Sequence, residues 1–221
     1  ALIIYRLGTF IPIPGIDPII MQEIFQQNTG GILGMFDMFA GGALGRMTIF
    51  ALNILPYISA SIIMQLMTAI SPKFEQLKKE GEQGRKKINQ YTRYGTVILA
   101  AVQGYGIAVG LESMNSSQGS AVIDPGAFFR ITTVITLTSG TVFLMWLGEQ
   151  VTARGVGNGI SLIIFAGIVA NLPSALVATL ELGRTGALSA IFIVFLLIAM
   201  VALITFVVFV ERAQRRIIVQ Y

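Results

Sequence analysis

The 221-residue chain contains no cysteine and no histidine. Without cysteine it has neither disulfide nor thiolate chemistry. Without histidine it lacks the commonest general base and most transition-metal sites. Charge is scarce too: 12% of the residues are Asp, Glu, Lys or Arg, against roughly 25% in a soluble domain. Hydrophobic residues make up 54% and mean hydropathy is +0.77. A soluble protein of this size cannot hide that much apolar surface, so the solvent is lipid.

Hydrophobic runs divide the chain into an all-α, polytopic transmembrane helix bundle. A truncated first helix is expected over 1–12 and an external segment over 13–46, followed by a second span over 47–70. A basic loop over 71–93 leads to a third span (94–112), an external loop (113–127) and a fourth span (128–148). Beyond a short loop (149–158) come a fifth span (159–179), an external loop (180–187), a sixth span (188–210) and the start of another loop (211–221). The opening run reads as part of a helix rather than a signal peptide, because no basic n-region or small-residue cleavage site accompanies it. The end at Tyr221, just after a basic cluster, reads as a cut.

The basic residues orient the bundle. Loop 73–93 carries seven of them: Lys73, Lys78, Lys79, Arg85, Lys86, Lys87 and Arg93. If each span crosses once, Arg154, Arg212, Arg215 and Arg216 fall on the same side, giving eleven of the fifteen. Cytoplasmic loops keep such an excess, so this side is expected inside. The loop is open to two readings, a topogenic signal beside anionic lipid or a docking surface for an acidic or nucleic-acid partner.

Little chemistry is available inside the membrane. The centres of spans two to six hold no ionisable group, which argues against a proton relay. "TSG" (Thr138 to Gly140) suits helix packing better than a hydrolase. "GVGNG" (Gly155 to Gly159) lacks the ending of a phosphate loop and reads as a hinge. A conduit remains. Ile54, Ile58, Ser61 and Gln65 share one helical stripe, and Ile160, Ile164, Ile168 and Asn171 share another. The stripes read either as ordinary packing or as a waist of isoleucines that dewets and resists ion leakage. "GGILGMFDMFAGGALG" is a short apolar piece bracketed by Gly30, Gly31, Gly41 and Gly42. It reads as a movable stopper or a fixed re-entrant cap. A secondary transporter, whose sites also lie at interrupted helices, is the rival.

Six stretches then point to a family: "FIPIPGID", "MFDMFAGGALGR", "ALNILPYISASIIMQL", "KKEGEQGRKKINQYTRYGT", "FLMWLGEQVTARGVGNGISLIIFAGIVA" and "FVVFVERAQRRI". Together they resemble the SecY family, the pore subunit of the bacterial Sec protein-conducting channel, in a proteobacterial-like form. The likeness runs through essentially the whole chain. It implies the first five-helix half of a ten-helix clamshell, plus the sixth helix. By matching motif, Ile54, Ile58 and Ile164 correspond to a pore ring. Leu33, Phe36, Met38, Phe39, Gly41, Gly42 and Leu44 correspond to a plug over roughly Leu33 to Arg46. Ser59, Ile62, Ile63, Gln65 and Gln103 correspond to the lateral gate, and Arg212, Arg215 and Arg216 to a cytoplasmic docking loop. The resemblance further implies a passive, gated channel without catalytic residues, metal or cofactor. Its implied partners are SecE, SecG, the SecA motor, the translating ribosome with its ribosomal RNA, signal sequences, nascent chains and the lipid bilayer. The implied location is the bacterial inner membrane with loop 73–93 in the cytoplasm.

Overall fold

The computed structural model describes residues 1–27, 34, 37–38, 40–116, 119–155, 157–186 and 189–213. Helices dominate: α1 (Leu2–Gly8), α2 (Pro18–Gln27), α3 (Leu55–Ile70), α4 (Pro72–Lys79), α5 (Glu82–Ser113), α6 (Ala127–Arg154), α7 (Gly159–Ala170), α8 (Leu172–Arg184) and α9 (Ala190–Arg212). The described strands are two residues each, β1 (Asn115–Ser116) pairing antiparallel with β2 (Gly119–Ser120). The chain divides into two compact units, Ala1–Asn171 and Leu172–Tyr221.

The first unit is organised around the α5–α6 pair. Thr92, Thr96, Ala100, Gly104, Ala108 and Leu111 form the buried stripe of α5. Their spacing of three or four residues puts them on one face. Nearly all are small, which lets two backbones approach where lipid supplies no hydrophobic drive for association. On α6, Phe129, Thr133, Leu137, Gly140 and Leu144 form the answering stripe. An Arg–carboxylate pair ties each end. Arg93 donates Nε and Nη2 to the two Glu149 carboxylate oxygens, both at 2.8 Å. At the opposite end Arg130 Nη2 meets Glu112 Oε2 at 2.6 Å, and the Gly126 amide donates to Glu112 Oε1 at 3.0 Å. Thirty-two residues make α5 about 48 Å long, well beyond a hydrocarbon core of about 30 Å. Its charged first turns therefore project from the bilayer.

The sequence pattern predicts one span over 47–70, but the helix itself begins at Leu55. Residues 40–54 run through successive turns, with Met47 at φ +43° and Asn53 at φ +49°. Backbone bonding explains the interruption. The Ile49 amide donates to the Ile11 carbonyl and the Ile13 amide to the Met47 carbonyl, both at 3.0 Å. These bonds compete with helical ones, and Pro56, in the first turn, lacks the N–H that continuing a helix backwards would need. The basic loop is helical as well. Pro72 opens α4, and α3 and α4 are bent by 98° at the break between them. α4 then lies against α5, where Gly84 leaves no room for a Cβ beside the Leu77 carbonyl.

In the second unit α8 packs on α9, with Gly183 held close against Ile193. Ser189 caps α9 by accepting from the Phe192 amide at 3.3 Å. The 23-residue helix is apolar up to Val210, and its side chains from Ile191 onward are mostly exposed. Among the described residues four helical runs are long and apolar enough to cross a membrane: α5, α6, Gly159–Arg184 and Ile191–Arg212. Counting α3 and α4 as one broken span makes five.

The tightest crossing gives a direct check. A Cβ on Gly140 would collide with the Ile49 carbonyl and press on Phe50, whereas Gly106 has open space. Gly140→Val is expected to destabilise the full-length protein by about 1–3 kcal/mol, the usual cost of overpacking. Gly106→Ala should leave it unchanged. Thermal unfolding of the two purified variants in detergent reads the difference, and equal melting temperatures would contradict this account of the crossing.

Candidate functional site

Three of the isoleucines singled out by their stripes meet in one cluster. Ile54, 1% exposed, stands immediately before α3 and packs with Tyr5, Phe50, Leu144, Leu147 and Ile163. Ile58 follows one turn later, its amide donating to the Ile54 carbonyl at 3.1 Å. Both Ile58 and Ile164 are half-buried against the same cluster. They are thus supplied by two helices, α3 and α7, that are distant in sequence.

The placement of α7 follows from the glycine-rich loop before it. Gly157 takes φ +77°, and Asn158 Oδ1 accepts from the amides of Ile160 at 3.0 Å and Ser161 at 3.4 Å, capping the helix. Gly159 lies so close to the Gly148 carbonyl that no side chain fits, which draws α7 onto α6. Ile163, fully buried, faces Leu144 and Leu147, leaving Ile160 and Ile164 at the edge of the cluster. Ile160 belongs beside the three predicted residues. Its signal was in the sequence, four residues before Ile164 on the same face. An aromatic series starts within the cluster, with ring centroids 6.2 Å apart for Tyr5–Phe50, 6.0 Å for Phe50–Phe143 and 5.8 Å for Phe143–Trp146.

The glycine-bracketed segment reaches the same neighbourhood. Leu33, Phe36 and Phe39 lie outside the described residues. Met38 is 54% exposed. Gly41 and Gly42 take φ +65° and +82°, a backbone conformation open to glycine and costly for most side chains. Gly41 is pressed against the backbone of Gly167 on α7. Asp37 Oδ1 accepts from the Gly45 amide at 2.7 Å, closing the turn. Arg46 bonds back to the Gly42 carbonyl at 2.9 Å. Burial lowers the basicity of its guanidinium, nearby Arg6 lowers it further, and Asp37 works against both.

Leu44 lines a cleft of about 810 Å³ that it shares with Ser59 and Gln103. Met21, Met47 and Met114 supply part of its apolar wall, a flexible lining suited to varied apolar side chains. Ile62 and Ile63, 52% and 49% exposed, and the exposed Gln65 are not among the residues that line this cleft. Gln65 donates to Ser61 Oγ at 3.4 Å. The five gate candidates therefore separate into two groups. In the second unit Arg212 is exposed at the end of α9, and Arg215 and Arg216 lie outside the described residues.

The SecY family model matches residues 48–221. A protein translocase subunit SecY from Rickettsia bellii is 57% identical over 220 residues, covering 100% of this chain and 51% of the relative. Its counterpart from Escherichia coli K12 is 57% identical over 221 residues, covering 100% and 50%. That of Buchnera aphidicola is 56% identical over 221 residues, covering 100% and 62%. The chain belongs to the SecY family. It is an all-α, multi-pass membrane protein, and it spans about half the length of the first two relatives. Within this SecY chain the isoleucine cluster, the glycine-bracketed turn and the cleft all belong to the first compact unit.

The cluster makes a graded prediction. Ile54→Ala is expected to cost the full-length protein about 2–5 kcal/mol, as for a buried large-to-small change. Ile164→Ala, half-exposed at the cluster's edge, should cost distinctly less. Denaturant titration of both variants reads the order, and a larger loss at Ile164 would reverse the burial assigned to them.

Proposed function

We propose that this chain forms part of a passive, gated channel through which unfolded polypeptide is secreted and membrane proteins are inserted laterally. The observation that carries this is the convergence of Ile54, Ile58 and Ile164 on one cluster from two helices, with the segment ending at Arg46 packed beside α7. Stiff, branched isoleucines make a collar that yields to varied side chains yet holds no water column for ions. Leu33 to Arg46 serves as the stopper of that collar. The cleft lined by Ser59 and Gln103 is the side passage toward lipid, with Ile62, Ile63 and Gln65 facing the membrane beside it. The names of the relatives support this reading over a secondary transporter.

In this reading the chain acts as a conduit rather than an enzyme, and the driving energy comes from a SecA-type ATPase or a translating ribosome. Both dock on the cytoplasmic side, through Arg212, Arg215 and Arg216 and through contacts with ribosomal RNA. SecE and SecG are its companion subunits. Signal sequences and nascent chains are its substrates, and the bacterial inner membrane is its location. The projecting, basic end of α5 and the bent α4 then lie in the cytoplasm. Lys79 and Glu75 pair there at 2.8 Å, and the hydrogen bond from Lys79 holds the Glu75 carboxyl below its ordinary pKa.

The test uses the full-length protein in its native subunit complex. Photoreactive groups at Ile58 and Ile164 should crosslink to a stalled translocating chain, while groups at Phe195 and Val201 on α9 should reach only lipid or another subunit. Ile58→Ser together with Ile164→Ser should raise resting ion conductance several-fold in planar bilayers. Crosslinks confined to α9, with conductance unchanged, would overturn the proposal.

A further inference from the structure

The turn at Ala40, Gly41 and Gly42 is held by side chains from outside those three residues. Tyr5 Oη donates to the Ala40 carbonyl at 3.4 Å. Arg6 Nη1 donates to the Gly41 carbonyl at 2.8 Å. Arg46 donates Nη2 to Gly41 at 3.3 Å and Nε to Gly42 at 2.9 Å. Three successive peptide carbonyls are thus taken by side chains rather than by a continuing helix. The two guanidinium groups share one aromatic platform, Arg6 at 4.9 Å and Arg46 at 4.4 Å from the centre of the Phe10 ring. Cations over a ring face are attracted by its quadrupole, and the platform holds two like charges side by side.

The arrangement is asymmetric. Arg46 bonds to carbonyls four and five residues away, so those bonds move with the turn. Tyr5 and Arg6 reach it from 35 residues away, on a helix joined to the isoleucine cluster through Tyr5. Among the described residues, these are the two side-chain bonds that tie the turn to something that stays behind if it moves. Of the two, the Arg6 bond is the shorter and is charge-assisted, hence the stronger.

We propose that Arg6, set by Phe10, is a latch: a positioning residue on α1 that fixes the turn at Gly41 and so sets how readily the stopper leaves the isoleucine collar. The inference rests on the reading of 33–46 as a stopper, and the experiment separates the two. Without Arg6 the Gly41 carbonyl keeps only the longer bond from Arg46. Gly41 and Gly42, free to take many backbone conformations, then become a hinge. Lysine replaces arginine only in part here, since its compact ammonium has no planar face to stack on the ring while it donates to the carbonyl.

The full-length protein in its native subunit complex is labelled with a nitroxide at Met38→Cys, an exposed position on the segment. Two readings are taken in liposomes, the mobile fraction of the label and the resting ion leak. Arg6→Gln is expected to raise the mobile-to-immobile ratio about tenfold, the scale of one charge-assisted hydrogen bond. Arg6→Lys and Phe10→Leu should give smaller rises in the same direction. Phe10→Leu carries the test should Arg6→Gln fail to accumulate, because it leaves both charges in place. An unchanged ratio in variants that unfold at the wild-type temperature overturns the latch. So does an Arg6→Lys ratio equal to wild type, which would reduce the role of Arg6 to charge alone. A raised ratio with unchanged leak supports the latch while contradicting the stopper's role as a seal.

Discussion

In a hydrocarbon solvent a backbone N–H or C=O without a partner costs several kcal/mol, and non-helical chain is tolerated only where protein buries it. The architecture of this chain turns on how residues 40–54 meet that constraint. They are not helical, yet they lie among spans. Backbone bonds to residues 11–13 account for part of the stretch. Side chains of Tyr5, Arg6 and Arg46 account for the carbonyls of Ala40, Gly41 and Gly42. With these groups partnered, the irregular piece delivers Ile54 buried at 1% exposure directly to the start of α3.

Close packing does the rest. Glycine at positions 8, 140 and 159 brings neighbouring backbones or rings nearer than any other residue permits, and dispersion contacts at that distance replace the hydrophobic drive that lipid cannot provide. Arg93–Glu149 and Arg130–Glu112 register α5 against α6 at both ends. The result is a rigid pair with α7 and its isoleucines pinned to one side and a Met-lined cleft on the other. On the proposed reading the isoleucines are the collar of a gate and the glycine-bracketed segment is the piece that moves.

Much of this could be read from the residues. The 23 residues from 188 to 210 carry no charge and read directly as a span. The stripes carrying Ile54, Ile58 and Ile164 signalled a shared face on each helix, and the structure brings those faces together. The start of α3 was not legible. "MTIFALNI" is apolar enough to continue a helix, and it is partners 34 and 38 residues away, at Ile13 and Ile11, that tell otherwise. Helical order in the basic loop was hidden for the opposite reason. Charge marked it as solvated, while the Gly84–Leu77 contact that seats α4 has no local signature. The reach of Arg6 to Gly41 is likewise a tertiary fact, invisible to periodicity.

The central claim is that isoleucines from α3 and α7 enclose a passage that widens for a polypeptide. The most direct measurement is the distance between spin labels at Ile58→Cys and Ile164→Cys in the full-length complex, taken at rest and with a polypeptide stalled inside. The account predicts a short, narrow distribution at rest that shifts to longer distance when the channel is occupied. A distribution identical in the two states would contradict it.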